Sequence, residues 1–330
     1  MAKYDAYTEG LSLVHYFADK VKGRTFLLTG PSKGGIGAET VISLAHGAPA
    51  IIILLGRSLD KIQPTIDSIK EINDTIKVKF VKVDLASLSS TRTAAETILA
   101  DDEIVHIDVV IDNAAVMACA YQKTEDGFEL QLAANYLGHF VLTNTIIPKI
   151  LAAGPGGRIV IVSSSGHRYN PFRSFDPNSD IPGSYGEFAA YGSSKSAMIL
   201  YAVALNQRLA SRGVHAYGLH PGSISTNLQD HVKALGPAAM DIMDDGSWRV
   251  MGMSIAKFRA TSPTKTLQQG CATTLRAALD PHLVEEDGVY LEDSNLVTDT
   301  RLIKEWASDP ELAEKCWKLS EEMVRQKFDF

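Results

Sequence analysis

Residues 25–37 read TFLLTGPSKGGIG, and a helical pattern begins directly behind them. Thr25 to Thr29 is a short apolar run without polar alternation, as expected of a strand buried on both faces of a parallel sheet. It runs into a turn holding Gly30, Gly34, Gly35 and Gly37, residues that let a backbone bend sharply or approach a ligand. A strand, a glycine turn and a helix N-terminus form a pyrophosphate site, because free backbone N–H groups and the positive end of the helix dipole point at the anion. Two related motifs fail here. Gly30 and Gly35 match the first half of a P-loop, but Ile36 and Gly37 stand where that motif needs Lys and Ser or Thr, which argues against a nucleotide triphosphatase. The GxGxxG spacing breaks because Thr40 holds its third position.

Outward from this turn the same kind of run recurs at 50–55, 77–83, 108–112, 158–163 and 214–220, each short and rich in Val, Ile or Leu. Between the runs lie segments long enough for crossover helices, at 37–45, 59–72, 89–99, 126–151 and 193–211. This alternation predicts an α/β fold, a doubly wound Rossmann-type parallel sheet. No Ser/Gly/Pro tract, repeat or charge block divides the chain, so residues 23–330 are expected to form a single domain. Residues 1–22 read as one helix lying on it. The stretch 228–263 has no strong period but holds Met240, Met243, Trp248, Met251 and Met253, and is expected to form a lid over the substrate.

Composition removes several function classes. With 45% hydrophobic and 22% charged residues the chain is that of an ordinary globular protein, neither disordered nor collagen-like. The longest apolar run, Ala48 to Leu55, contains Pro49 and is far short of the roughly 20 residues of a membrane-spanning helix. The N-terminus lacks the pattern of a secretory signal, so a cytoplasmic location is the expectation. A net charge of -7 without a Lys/Arg block argues against nucleic acid and anionic membranes as partners. Cys119, Cys271 and Cys316 are too far apart for a metal-ligand pattern and read as buried free thiols, with no metal site expected.

The turn resembles the TGxxxGxG of the short-chain dehydrogenases/reductases, with one extra residue between Gly30 and the Gly35-Ile36-Gly37 group. That leaves open which of Ser32, Lys33 and Gly34 contacts phosphate. Further motifs of the family follow in order: Asp84-Leu85, Asp112-Asn113-Ala114-Ala115, Asn135 in NYLGHF, Ser164 in VSSSGH, Tyr191 and Lys195 in YGSSK, and His220-Pro221-Gly222 with Thr226. The set covers nearly the whole chain from Lys22. NYLGHF, HPG and the extended C-terminal region look most like the retinol-dehydrogenase-like branch, including its soluble fungal-type members.

The resemblance implies that Asp84 and Leu85 border the adenine, and that Asn113, Ala114 and Ala115 border its ribose. It also places Pro221, Gly222, Ile224 and Thr226 towards the nicotinamide end. Where NAD-preferring members carry an acidic residue after the second strand, this chain has Leu54-Leu55-Gly56-Arg57. A guanidinium that can grip a 2'-phosphate, with Lys33 as a second cation, favours NADP(H) over NAD(H). Tyr191 and Lys195 are four apart and share a helix face. A neighbouring ammonium favours the phenolate, so Lys195 is expected to lower the Tyr191 pKa. By resemblance Tyr191 is the general acid/base, Lys195 also binds the nicotinamide ribose, Ser164 bonds the substrate oxygen, and Asn135 holds a water that connects Lys195 to solvent. His139 and His167 read as structural or solvent-facing.

Two functions remain in view. The first is an NADP(H)-dependent oxidoreductase acting on a lipophilic ketone, aldehyde or alcohol, with substrate contacts expected from 116–121, 167–190 and 228–263. The second is a catalytically silent NADP(H)-sensing regulatory or scaffold protein; such relatives tend to lose the Tyr or Lys that this chain keeps. A hydrolase is the weaker rival, since no GxSxG surrounds Ser163, Ser164 or Ser165. Whether the chain forms a homo-oligomer is left open.

Overall fold

The run at the head of the glycine turn becomes β1 (Thr25–Thr29), all five residues buried, inside an eight-stranded sheet. The structure, a computed structural model, describes residues 4–173, 185–229, 236, 244, 248, 254, 256–257 and 264–330. On one side β1 pairs in parallel with β2 (Ile51–Gly56), which pairs with β3 (Lys77–Lys82). On the other side follow β4 (Val109–Asp112), β5 (Gly157–Val162) and β6 (Val214–His220), again parallel. The order 3-2-1-4-5-6 is the doubly wound arrangement, and it reverses between β1 and β4, where such sheets open a ligand crevice.

Lack of alternation in β1, β2, β4, β5 and β6 has a simple origin, whereas β3 at the edge keeps alternate lysines. Successive side chains point to opposite faces, and helices cover both. Leu27, Ile53, Val110 and Ile159 face one core, packed by α4 (Leu88–Ala100), α6 (Gly138–Leu151) and α7 (Glu187–Leu209). Phe26, Leu28, Ile52 and Ile111 face the other, packed by α2 (Ile36–Ala45) and α3 (Leu59–Ile72).

Four details depart from the sequence expectation. The helix expected at 126–151 is composite: a short α5 (Leu130–Leu132), a π-turn over Ala133–Leu137, then α6. Helix α7 starts earlier than expected, at Glu187, directly after Gly186. The amino-terminal segment holds not one helix but α1 (Gly10–Tyr16) followed by a 3-10 turn at Ala18–Lys20. Its Leu13, Val14, Phe17 and Val21 are buried in the second core, against α2 and α8 (Leu267–Leu279). Short strands were also missed. The pair β7 (Ser223–Ile224) and β8 (Thr264–Lys265) lies beyond the main sheet, while β9 (Tyr290–Glu292) and β10 (Asn295–Leu296) extend it at the β6 edge.

The chain ends in α9 (Glu305–Ser308) and α10 (Pro310–Val324). Trp317 of α10 packs edge-on to Phe140 with ring centres 5.0 Å apart, and Phe328 stands 5.5 Å from the same ring. Cys271 and Cys316 are buried free thiols as expected, but Cys119 is only half-buried. Among the described residues no helix is long and apolar enough to cross a membrane, and no cluster of side chains is suited to a metal. Most of the stretch 228–263, Met240, Met243, Met251 and Met253 included, lies outside the described residues; Trp248 is described and exposed.

Candidate active site

The carboxyl ends of β1 to β6 open into one cleft of about 890 Å³. The turn after β1 contributes Gly30, Ser32, Lys33, Gly35, Ile36 and Gly37; Arg57 comes from the end of β2, and Asp84 and Leu85 from the end of β3. Asn113, Ala114 and Ala115 follow β4, Ser164 follows β5, Tyr191 and Lys195 project from α7, and Pro221, Gly222, Ile224 and Thr226 follow β6. The structure therefore brings the candidate catalytic and cofactor residues of the sequence to one cleft, except Gly34, which does not line it, and Asn135, which is buried behind the wall.

The turn is shaped as a cradle. A Cβ on Gly37 would lie 2.5 Å from Asn113 Nδ2 and 2.7 Å from the Gly30 carbonyl, so only glycine lets α2 start this close to the loop after β4. No side chain caps α2, whose first N–H groups lack partners within the helix. Asn113 Nδ2 donates to the carbonyls of Thr29 (2.9 Å) and Gly30 (3.2 Å), fixing the turn to the β4 loop. At the same end stand Lys33, Arg57 and Lys61, all exposed and, among the described residues, none in an ion pair. The glycine cradle fits the pyrophosphate of a dinucleotide. Sequence reasoning missed Lys61, although it stands one helical turn after Arg57.

At the other end Tyr191 and Lys195 lie on one face of α7, the Lys195 ammonium 5.7 Å from the Tyr191 ring centre. Lys195 Nζ donates to the Val162 carbonyl at 2.8 Å and is itself buried. The Ser164 hydroxyl accepts from Gly166 N–H at 3.0 Å and lies within hydrogen-bond reach of the Tyr191 phenol. Here the electrostatics differ from the sequence expectation. Burial pushes the Tyr191 phenol up to about 12, opposed by the bond to Ser164, and Lys195 does not lower it. Burial also pulls the Lys195 ammonium down to about 7. Removed from water, the ammonium gives up its proton more readily, so Lys195 supplies less positive charge to the phenol than the four-residue spacing alone promises.

Asn135 sits in the π-turn. Its Oδ1 accepts from Val116 N–H at 2.8 Å, and its Nδ2 donates to the Val116 carbonyl at 2.9 Å and to Ser194 Oγ at 3.0 Å. The side chain thus holds a segment of the cleft wall. His139 and His167 are both buried, and burial pulls each imidazole down to about 4.

The comparisons with known proteins agree with this geometry. The family model for short chain dehydrogenases matches residues 24–175. Short-chain dehydrogenase/reductase prx1 of Penicillium rubens is 36% identical over 316 residues, covering 93% of this chain and 86% of that one. The chain belongs to the short-chain dehydrogenase/reductase family. Its retinol-dehydrogenase-like relationship shows in retinol dehydrogenase 13 of Mus musculus, 37% identical over 211 residues that cover 64% of this chain and 61% of that one. A solved structure from Mycobacterium paratuberculosis is 26% identical and superposes with a TM-score of 0.65 over 94% of this chain and 96% of that one. The short-chain dehydrogenases/reductases are oxidoreductases that bind a nicotinamide cofactor and act on small molecules, so this cleft is that of a family oxidoreductase.

Several residues of the short-chain dehydrogenase/reductase cleft gave no motif signal. Met117, Leu130, Ala134 and Phe188 line its catalytic end; Met117 and Phe188 fall inside segments expected to touch substrate, Leu130 and Ala134 do not. Asn227 donates to the Lys33 carbonyl at 3.1 Å and ties the loop after β7 to the glycine turn. Gly166 is required by crowding: a Cβ there would lie 2.8 Å from the Tyr191 ring.

Proposed function

We propose that the protein is an NADP(H)-dependent oxidoreductase that interconverts the carbonyl and alcohol of a lipophilic small molecule, with Tyr191 as general acid/base. One observation carries this reading: a single cleft joins three cations that have no ion-pair partner among the described residues, Lys33, Arg57 and Lys61, to the Ser164–Tyr191–Lys195 group. Three such cations together suit a 2'-phosphate, and a guanidinium grips such a group through paired N–H donors.

When bound, the nicotinamide supplies hydride to the substrate carbon or accepts it. The remaining steps fall to this chain. In reduction the Ser164 hydroxyl holds the carbonyl oxygen while Tyr191 gives its phenolic proton to it, so hydride and proton together complete the alcohol. A phenol pushed up to about 12 is fully protonated at neutral pH and ready to donate. Lys195, on the same helix face, holds its ammonium 5.7 Å from the ring centre of the phenolate left behind. In oxidation Tyr191 must first lose its proton, so alcohol oxidation should accelerate with rising pH. Met117, Leu130, Ala134 and Phe188 bring no charge to the reacting end, which supports a neutral, lipophilic substrate.

Titration with NADPH and NADH, followed by NADPH oxidation against a panel of ketones and aldehydes that includes retinaldehyde, tests the reading. NADPH should bind more tightly, and Arg57→Asp should weaken NADPH far more than NADH. Tyr191→Phe should keep NADPH affinity and lose about 10² or more in turnover. Equal affinity for the two nucleotides would remove the NADP(H) assignment, near-native turnover by Tyr191→Phe would remove the mechanism, and NADPH binding without turnover of any carbonyl would leave the sensing role.

A further inference from the structure

Thr29, the last residue of β1, is buried, and its hydroxyl oxygen accepts from the backbone N–H groups of Asn113 and Ala114, both at 2.9 Å. A hydroxyl has two acceptor sites and one proton. With both sites filled, the proton must go to the remaining neighbour, Nε2 of His139 at 2.9 Å. Nε2 is then an acceptor, so the ring proton resides on Nδ1, which stands 2.9 Å from the Asn135 carbonyl and donates to it. Burial pulls this imidazole down to about 4, with the Lys195 charge acting in the same sense, so the ring is neutral across the physiological range. An imidazolium would present a second donor and lose the bond from Thr29.

The connection continues beyond Asn135. Its Nδ2 donates to Ser194 Oγ, which donates to the Tyr191 carbonyl at 2.8 Å, and its amide holds Val116 in the wall of the cleft. His139 thus joins the end of β1, where the glycine turn begins, to the π-turn that braces the Tyr191 helix.

We propose that His139 is a positioning residue: as the neutral Nδ1–H tautomer it holds the Asn135 carbonyl to the end of β1, keeping the cofactor turn and the Tyr191 helix in one register. The assignment of a reaction to this cleft rests on the function proposed above; the tautomer does not. Asn135 therefore acts through its backbone carbonyl as well as its amide, and the π-turn brings that carbonyl within reach of the imidazole four residues on.

The test has two arms. In the full-length protein labelled with 15N-histidine, long-range 1H–15N correlation spectra, with the His139 signals assigned by their loss in His139→Asn, should show the Nδ1–H pattern unchanged from pH 5.5 to 8. An Nε2–H pattern, or titration within that range, overturns the proposal. In the second arm His139→Asn keeps a donor near the Nδ1 position, whereas His139→Gln reaches towards Thr29 but offers none to Asn135. Each variant breaks the bridge at one end, so with NADPH and a carbonyl that the wild type reduces both should lose about tenfold or more in kcat at similar NADPH affinity; a variant within about threefold of wild type would overturn the proposal. Losses that scale only with each variant's drop in thermal stability would mean packing alone and also overturn it. If no carbonyl turns over, the functional reading fails while the tautomer measurement still decides the role of His139.

Discussion

Gly166 stands two residues after Ser164, donates its N–H to the Ser164 hydroxyl at 3.0 Å, and lies directly against the ring of Tyr191. A Cβ there would meet Tyr191 Cε1 at 2.8 Å and Ser164 Oγ at 3.3 Å, so alanine must displace the phenol, the serine or both. Displacing a reacting group by a fraction of an ångström costs rate without costing cofactor contacts. We expect Gly166→Ala to lower kcat by about tenfold or more while NADPH affinity stays within about twofold, read by steady-state kinetics and nucleotide titration. An unchanged kcat would mean that the ring has room to yield. Gly166 also marks the limit of what the sequence makes legible at this scale. Ser164, Tyr191 and Lys195 could be read because the chemistry demands those functional groups at those spacings. Gly166, His139 and Lys61 could not, because their roles depend on which segments the fold brings together, and no local pattern records that.

Among the elements, β1, β2, β4, β5 and β6 were legible because burial on both faces leaves an apolar run that a half-exposed strand would not show, while β3, at the sheet edge, keeps alternate lysines. The strands β9 and β10 were not: at three and two residues, joined through Asp293 and Ser294 with positive φ, they are too short to carry a period. The π-turn was equally hidden, since the apolar pattern of 126–151 continues through it. The C-terminal helix α10 allows a quantitative expectation. Trp317 is 2% exposed, lies against Phe140 and Tyr201, and carries the Arg208 guanidinium 4.0 Å from its ring centre. Trp317→Ala removes the large ring and leaves a cavity between α6, α7 and α10, a loss of about 3–5 kcal/mol for a buried aromatic. Denaturant titration should show a lower midpoint at an unchanged slope. A shift below about 1 kcal/mol would mean that α10 contributes little to the core it covers.

For the molecule as a whole, the buried titratable groups set how stability depends on pH, and one of them can be isolated. Asp112 ends β4 with no exposure to solvent, accepts the Thr143 hydroxyl, and is pushed up by burial to about 8. An unfolded carboxyl titrates near ~3.9, so between about pH 4 and 8 the folded protein holds a proton that the unfolded chain has lost. The sign follows: the stability linked to Asp112 is fully present below the unfolded value and is lost as pH rises through the folded one. Lys195 works differently. Pulled down to about 7, it is charged in both states below that pH, and its penalty on the folded state is relieved only as pH climbs from 7 towards ~10.4. His139 and His167, pulled down to about 4, lose stability as the medium is acidified below their unfolded value near ~6.5. Wild-type stability alone would mix these trends. Subtracting the profile of Asp112→Asn, which cannot ionise there but keeps an oxygen for Thr143, cancels the lysine and the histidines. The difference should fall by about 1 kcal/mol for each pH unit between 5 and 7, wild type losing ground to the variant. Parallel profiles in equilibrium denaturation across that interval would mean that Asp112 is already ionised in the folded protein, and that its burial beneath the Asn113 loop is balanced by a positive charge.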